Sequence, residues 1–205
     1  MLLKKIKNFC EAREKEFDLI SEERKSVLLK LSDYISEKFK TGKTPKLTVI
    51  CTHNSRRSHL GQLWLSVAAE YYNFPAIETF SGGTEATAFN IRAVNAMRKI
   101  GFEIKTDNPD ADNPNYQIKW SRHTDAYPAF SKKYETMPNP QKDFAAIMVC
   151  NSADKGCPIV AGCDFRLSLP FDDPKAFDDT DLEAAKYTER AEQICREMLF
   201  VFRIV

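Results

Sequence analysis

The sequence predicts an α/β domain, a doubly wound four-stranded parallel sheet flanked by helices, with a helical extension ahead of it. Three observations carry that reading. Short β-branched or apolar runs alternate with longer stretches whose apolar residues recur every three or four positions. One such run, Lys46-Leu47-Thr48-Val49-Ile50, gives way within a few residues to a helical pattern. Another, Phe144-Ala145-Ala146-Ile147-Met148-Val149, is apolar throughout, as expected of a strand covered on both faces. Parallel strands joined through helices imply right-handed crossovers, and ligands of such sheets gather at the carboxyl ends of the strands. The extension is expected over residues 1–45 and the sheet domain over residues 46–205.

Residues 1–20 carry Leu3, Ile6, Cys10 and Phe17 among charged side chains and read as a charged helix. Ser21-Glu22-Glu23 supplies a capping hydroxyl and first-turn acids to a second helix, whose stripe is Val27, Leu28, Leu31, Tyr34, Ile35 and Phe39. Gly42 and Pro45 end it. Beyond the strand at 46–50, Leu60, Leu63, Trp64, Val67, Ala68 and Tyr71 give one buried stripe on a helix that begins near Ser58. Ile77-Glu78-Thr79-Phe80 is a short strand leading into Ser81-Gly82-Gly83-Thr84-Glu85. Asn90 caps a helix marked by Ile91, Val94, Met97 and Ile100, which stops at Gly101. Residues 108–115, rich in Asn, Asp and Pro, form a loop. Residues 116–142 lack sustained periodicity and read as an insertion near the rim of the site, with aromatics that cover the core or line that rim. Arg166-Leu167-Ser168-Leu169 is a shorter strand, and Thr180-Asp181-Leu182-Glu183 is a capping box. The last helix shows Tyr187, Ala191, Ile194, Met198 and Phe202 on one side.

A chain of 205 residues is long enough for one well-buried domain with an extension. Thirty Lys and Arg against 29 Asp and Glu leave a net charge of +1, too balanced for a nucleic-acid face or for attraction to a membrane. No apolar run approaches the roughly 20 residues of a membrane span. Met1-Leu2-Leu3-Lys4-Lys5-Ile6-Lys7 is too charged for a secretory leader, so a cytoplasmic protein is expected. In that compartment the six cysteines are mostly reduced. Cys10 and Cys195 fall inside helical patterns and read as packing residues. Cys51, Cys150, Cys157 and Cys163 need another reason.

Cys51-Thr52-His53-Asn54-Ser55-Arg56-Arg57-Ser58 lies between the first strand and its helix. Loop N–H groups and the unpaired N–H groups of the helix's first turn then face one point, with the positive end of the helix dipole behind them. That makes an anion site lined by residues 52–58. Cysteines at helix N-termini beside arginine ionise readily, and the thiolate is the nucleophile, so Cys51 is the candidate nucleophile. Arg57 can clamp two oxygens of a tetrahedral anion with its planar fork. Ser58 can donate its hydroxyl to the sulfur when that sulfur is a leaving group.

Cys51, five residues, Arg57 and Ser58, placed early in an α/β chain, resemble the signature of the low-molecular-weight protein tyrosine phosphatase superfamily. Asn54 stands where that family has a residue in left-handed conformation. The resemblance implies the low-molecular-weight phosphatase fold for residues 46–205, and a general acid in an Asp-Pro pair, here Asp173-Pro174. An Asp before Pro is extended and can aim across the sheet end, although such a pair can equally cap a turn. Two residues depart from the pattern. His53 replaces the usual Gly and narrows the loop rim, and Lys175-Ala176-Phe177 follows Asp-Pro where phosphotyrosine phosphatases commonly carry Tyr.

Cys150-Asn151-Ser152-Ala153-Asp154-Lys155-Gly156-Cys157-Pro158 is similar to a segment of the thioredoxin-coupled arsenate reductase branch, as are Asp172-Asp173-Pro174 and the segment 81–85. This closer resemblance covers roughly residues 46–174. It implies a thiol relay: Cys51 attacks arsenate, Asp173 protonates the departing oxygen, Cys150 attacks Cys51 and Cys157 resolves the disulfide, which thioredoxin or another thiol then reduces. No bound cofactor or metal is implied.

Three other readings stay open. Cys51, Arg57 and Asp173 suffice for a phosphatase with a phosphocysteine intermediate. Cys150, Cys157 and Cys163 with one of His53, His59 or His123 could hold zinc, though the spacings of seven and six are unlike paired zinc knuckles. A non-catalytic oxyanion or redox sensor would use the same loop with His53 obstructing turnover. Arsenate and phosphate share shape and charge, so the loop alone does not separate them; the role of Cys163 and the oligomeric state are likewise open.

Overall fold

The computed structural model describes residues 1–74, 76–123, 125–156 and 159–205. Two helices lead, α1 (Lys4–Glu14) and α2 (Glu22–Lys40), with a 3₁₀ turn at Phe17–Leu19 between them. The helix expected over residues 1–20 therefore ends early. The chain turns so that Phe17 meets Phe200 edge-on, with centroids 5.5 Å apart, and Ile20 enters the core. Ser21 caps α2 as its sequence predicts, its hydroxyl accepting from Arg24 N at 3.2 Å.

There follow β1 (Lys46–Cys51), α3 (Arg57–Tyr71), β2 (Glu78–Gly83), α4 (Ile91–Ile100), β3 (Glu103–Lys105), β4 (Tyr116–Lys119) and β5 (Tyr127–Ala129). Then come β6 (Phe144–Met148), α5 (Asn151–Gly156), β7 (Cys163–Ser168) and α6 (Glu183–Ile204). The main sheet is parallel and four-stranded, in the order β2-β1-β6-β7. The most fully buried strands, β1 and β6, take the centre, and every residue of β6 is buried. Cys51 pairs with Gly83 at the carboxyl end, while Val149 N bonds Ile50 O at 2.8 Å and brings Cys150 to the same edge.

α3 is not the one-sided helix its spacing predicts. It packs on β1 and β2 and is also covered by α1 and α6, so Ser58, His59 and Gln62 are buried with the apolar stripe. α6 runs through the assembly in contact with α1, α2, α3 and α4. One apolar cluster joins Ile6, Leu28, Leu31 and Ile35 of the leading helices to the strands. Arg24 pairs with Glu197 at 2.8 Å, and burial still holds that carboxyl above its ordinary range. Cys10 and Cys195 meet in this core fully buried; burial, with Cys10 beside it, pushes the Cys195 thiol well up, which fits a packing role.

Two local expectations are corrected. Thr180 and Glu183 do not form a capping box, because α6 begins at Glu183, whose carboxylate reaches back to Asp179 N at 2.8 Å and to Arg92 at 2.5 Å. The segment after residue 102, whose latter part showed no period, contains a small antiparallel sheet of order β3-β4-β5. Its strands are only three or four residues long, too short for alternation to register. Among the described residues no helix is long and apolar enough to cross a membrane.

Candidate active site

The turn from β1 into α3 is made at Asn54, whose φ of 43° is left-handed, a conformation that Asn tolerates better than most side chains. Its side chain is used at both ends. Lys132 N donates to Asn54 Oδ1 at 2.9 Å, and Asn54 Nδ2 donates to Ser58 Oγ at 2.8 Å. A backbone N–H can only donate, so it fixes which way the amide faces. Ser58 Oγ accepts from that amide and sits 3.1 Å from Cys51 Sγ, leaving its own proton for the sulfur. This is the hydrogen bond suited to a thiolate as attacking or leaving group.

Neighbouring segments take up the loop's carbonyls. Thr84 N donates to Cys51 O (3.1 Å), Glu85 N to Thr52 O (2.8 Å), Ser131 Oγ to His53 O (3.0 Å) and Asn90 N to Ser55 O (2.9 Å). Among the described residues no acceptor takes the N–H groups of residues 52–57. Carbonyls tied outward and amides left unpaired are the polarity of an anion nest. Gly83 makes the close approach possible: a Cβ there would stand 2.2 Å from Glu85 O and 2.7 Å from Thr52 O and Asn54 N. Gly82 does the same for the strap at residues 130–134, where Tyr134 Cα would lie 2.4 Å from an added Cβ.

That strap is where sequence reasoning missed residues of the site. Ser131 and Lys132 hold the loop from behind, and Asn113 grips Ser131 through Nδ2 to its carbonyl (2.8 Å) and Oδ1 from its N–H (3.0 Å). No motif marks them; their only distinction is the partners they meet.

The two consecutive arginines part company. Arg57 donates to Phe171 O at 2.8 Å and to Asp173 Oδ2 at 2.7 Å, so the candidate clamp and the candidate acid are already in contact. Asp173 also accepts from Lys175 N at 3.1 Å, so it caps a turn while facing the loop. The Arg56 guanidinium faces elsewhere, to Tyr187 OH at 2.7 Å and Asp178 at 3.0 Å. The His53 ring stands half exposed on the rim, 3.6 Å from Glu85.

Cys150 is buried beside the loop. Its Sγ lies 3.4 Å from Thr52 Oγ1 and accepts from Ala153 N at 3.3 Å. Asp154 of α5 is tied to β7 by Arg166 (2.6 Å) and Ser168 (2.9 Å). Cys157 lies outside the described residues, so the relay partner and the zinc set that includes it have no structural description here. Among the described residues no group of three His, Cys, Asp or Glu side chains could hold a metal ion. Cys163 starts β7, half-buried. His59 is fully buried and stacked on Phe89 at 4.0 Å; burial, then the nearby charge of Lys132, keep its pKa well below the usual imidazole range.

No protein-family model matches the chain. Over 126 residues, 61% of this chain and 75% of the other, it is 29% identical to arsenate reductase 2 of Staphylococcus epidermidis. It is 26% identical over 134 residues to an arsenate reductase of Halalkalibacterium halodurans, covering 65% of this chain and 77% of that one. A low-molecular-weight protein tyrosine phosphatase from T. tengcongensis superposes with a TM-score of 0.48 at 16% identity, over 78% of this chain and 99% of that one.

Proposed function

We propose that this chain, a distant sequence relative of arsenate reductases, is itself a thiol-dependent arsenate reductase that works through an oxyanion loop at Cys51 and a second thiol at Cys150. The observation that carries the reading is the second thiol. A phosphatase needs one cysteine at the sheet edge, whereas here Cys150 is buried at the end of the neighbouring strand with Thr52 Oγ1 3.4 Å from its sulfur.

In this reading arsenate enters the loop and competes with Asp173 for Arg57. The displaced carboxyl then faces the leaving oxygen. Cys51 attacks arsenic, a protonated oxygen departs as water, and a sulfur–arsenic bond forms. Cys150 attacks Cys51 Sγ; the electrons of the sulfur–arsenic bond stay on arsenic, which leaves as arsenite, and a Cys51–Cys150 disulfide remains. Cys157 resolves that bond in turn, and thioredoxin or a similar dithiol reduces the product. Ser58 stabilises Cys51 as leaving group in that exchange. The reductant acts as co-substrate rather than as a bound cofactor.

A second reading rests on the contact between Arg57 and Asp173, which a phosphatase would use without Cys150. One experiment separates them: arsenate turnover with a thioredoxin system and hydrolysis of an aryl phosphate, each measured for the unaltered chain and for Cys150→Ser. Arsenate turnover lost in the variant beside retained hydrolysis supports the reductase. Brisk hydrolysis with no arsenate turnover in either protein makes the chain a phosphatase. Tight oxyanion binding with no turnover of any kind points to the sensor.

A further inference from the structure

Lys132 is 4% exposed, on the strap that backs the loop. Its main chain is fastened at two points, N to Asn54 Oδ1 at 2.9 Å and O from Gly83 N at 2.9 Å, so the residue cannot swing out without unfastening the loop. Among the described residues no carboxylate pairs with its ammonium and no acceptor is hydrogen-bonded to it. Its Nζ lies over the face of Phe130, 4.8 Å from the ring centroid. Its charge reaches His59 strongly enough to oppose protonation of that imidazole. A largely buried ammonium without a counter-ion is costly, so a lysine so placed loses its proton more easily unless an anion comes to balance it.

We propose that Lys132 is a positioning residue of the oxyanion site, a fixed positive charge behind the loop whose counter-charge is the tetrahedral dianion bound in front of it. The proposal rests on the reading of residues 51–58 as an oxyanion loop. Burial lowers the Lys132 pKa to about 8, so the free protein already loses this proton at mildly alkaline pH. A bound dianion restores it. Dianion binding is therefore full below about pH 8 and weakens above it, as the ammonium is lost from the free protein.

The other ionisable groups around the strap are His59, from α3, which is held neutral; Arg57, paired with Asp173; His53, 3.6 Å from Glu85 on the rim; Lys133, exposed; Tyr134, on the strap; and Cys150, 3.4 Å from Thr52 Oγ1. A Lys132→Arg variant keeps all of these and changes only the titrating ammonium. Cys51 is removed by working in Cys51→Ser. The probe is sulfate, a dianion throughout the range used, titrated calorimetrically between about pH 7.5 and about pH 9.5, above the ordinary histidine range.

In Cys51→Ser the sulfate affinity should fall roughly tenfold between about pH 8 and about pH 9.5. Adding Lys132→Arg should keep the affinity at pH 7.5 and abolish the fall, since arginine does not titrate there. Adding Lys132→Met should weaken binding roughly tenfold at pH 7.5 and also flatten the profile. The arginine variant keeps the test sound if methionine disturbs folding, because a purely structural lysine gives no reason for the slope alone to vanish. A slope that persists in Lys132→Arg, or an affinity unchanged in Lys132→Met, overturns the proposal. Failure of Cys51→Ser to bind sulfate at any pH overturns the oxyanion-loop reading and this proposal with it.

Discussion

Two neighbouring strand ends each present a cysteine, and they are built differently. At the end of β1, Cys51 is held in a loop fastened by the segments after β2, by Asn90, and by the strap at Ser131 and Lys132. At the end of β6, Cys150 has Thr52 Oγ1 and one N–H of α5, a helix of six residues. Helices that short have little stability of their own. Under the proposed mechanism the difference suits two tasks: an anion site must present the same amides at every encounter, whereas a relay thiol must leave its place.

The comparison predicts where substitutions act. Cys51→Ser should abolish both arsenate turnover and aryl phosphate hydrolysis, by more than about 10⁴-fold, because either proposed chemistry uses the same nucleophile. Steady-state assays of the two activities test this; loss of one alone would break the idea of a single nucleophile. Asn54→Ala comes next. It removes the amide that orients Ser58 toward Cys51 and the acceptor for Lys132 N, and should cost about 1.5–3 kcal/mol of barrier, roughly 10- to 150-fold in rate. Ser58→Ala in the same assay should cost as much, and the double variant scarcely more, since both act through one hydrogen-bonded chain.

Asp154→Ala acts on the other strand end. It removes the carboxylate that holds Arg166 and Ser168 and leaves only the bond from Arg166 to the Asp154 carbonyl at 2.9 Å among those described, so it should change the arsenate reaction by a few-fold and leave aryl phosphate hydrolysis within about twofold. Equal losses in both activities would mean that α5 supports the loop after all, and the contrast between the two cysteines would fall.

The loop's position was legible in the sequence because it depends on residue types at fixed spacing. Cys51, Asn54, Arg57 and Ser58 lie within one short turn, and the strands on which that turn rests are long and apolar enough to read. The strap was illegible for the opposite reason. Ser131, Lys132 and Asn113 matter through partners far away in the chain, and the strands that deliver them, Tyr116–Lys119 and Tyr127–Ala129, are too short to show a period. Ser81-Gly82-Gly83 lies between these cases. Its glycines were visible, while the close approach of Thr52 and Tyr134 that requires them was not. The side chain of α3 shows the same limit: helical spacing identified the helix but not that α6 and α1 would cover it on its other sides.

Arg56 and Arg57 give the smallest expected effect in rate and the sharpest check on how far the loop motif extends. Both stand in the loop by sequence, within the 52–58 lining assigned to the anion, although the motif's spacing marks only Arg57 as the clamp. Arg56 instead holds Tyr187 OH and Asp178, with its side chain 12% exposed. Tyr187 is itself fixed by this cluster, its phenol pushed up to about 12, chiefly by burial and then by Asp178. Arg56→Gln does not strand the carboxylate, because Asp178 still accepts from Tyr187 OH at 2.7 Å and lies 3.9 Å from Arg92. The cost should therefore be that of a partly replaced charged hydrogen bond, about 1–2 kcal/mol of stability in a denaturant titration. Turnover of either substrate should stay within about twofold, while Arg57→Gln should lose at least about 100-fold. A large rate loss in Arg56→Gln at unchanged stability would mean that its guanidinium leaves Tyr187 for the anion, and that both arginines of the pair belong to the site.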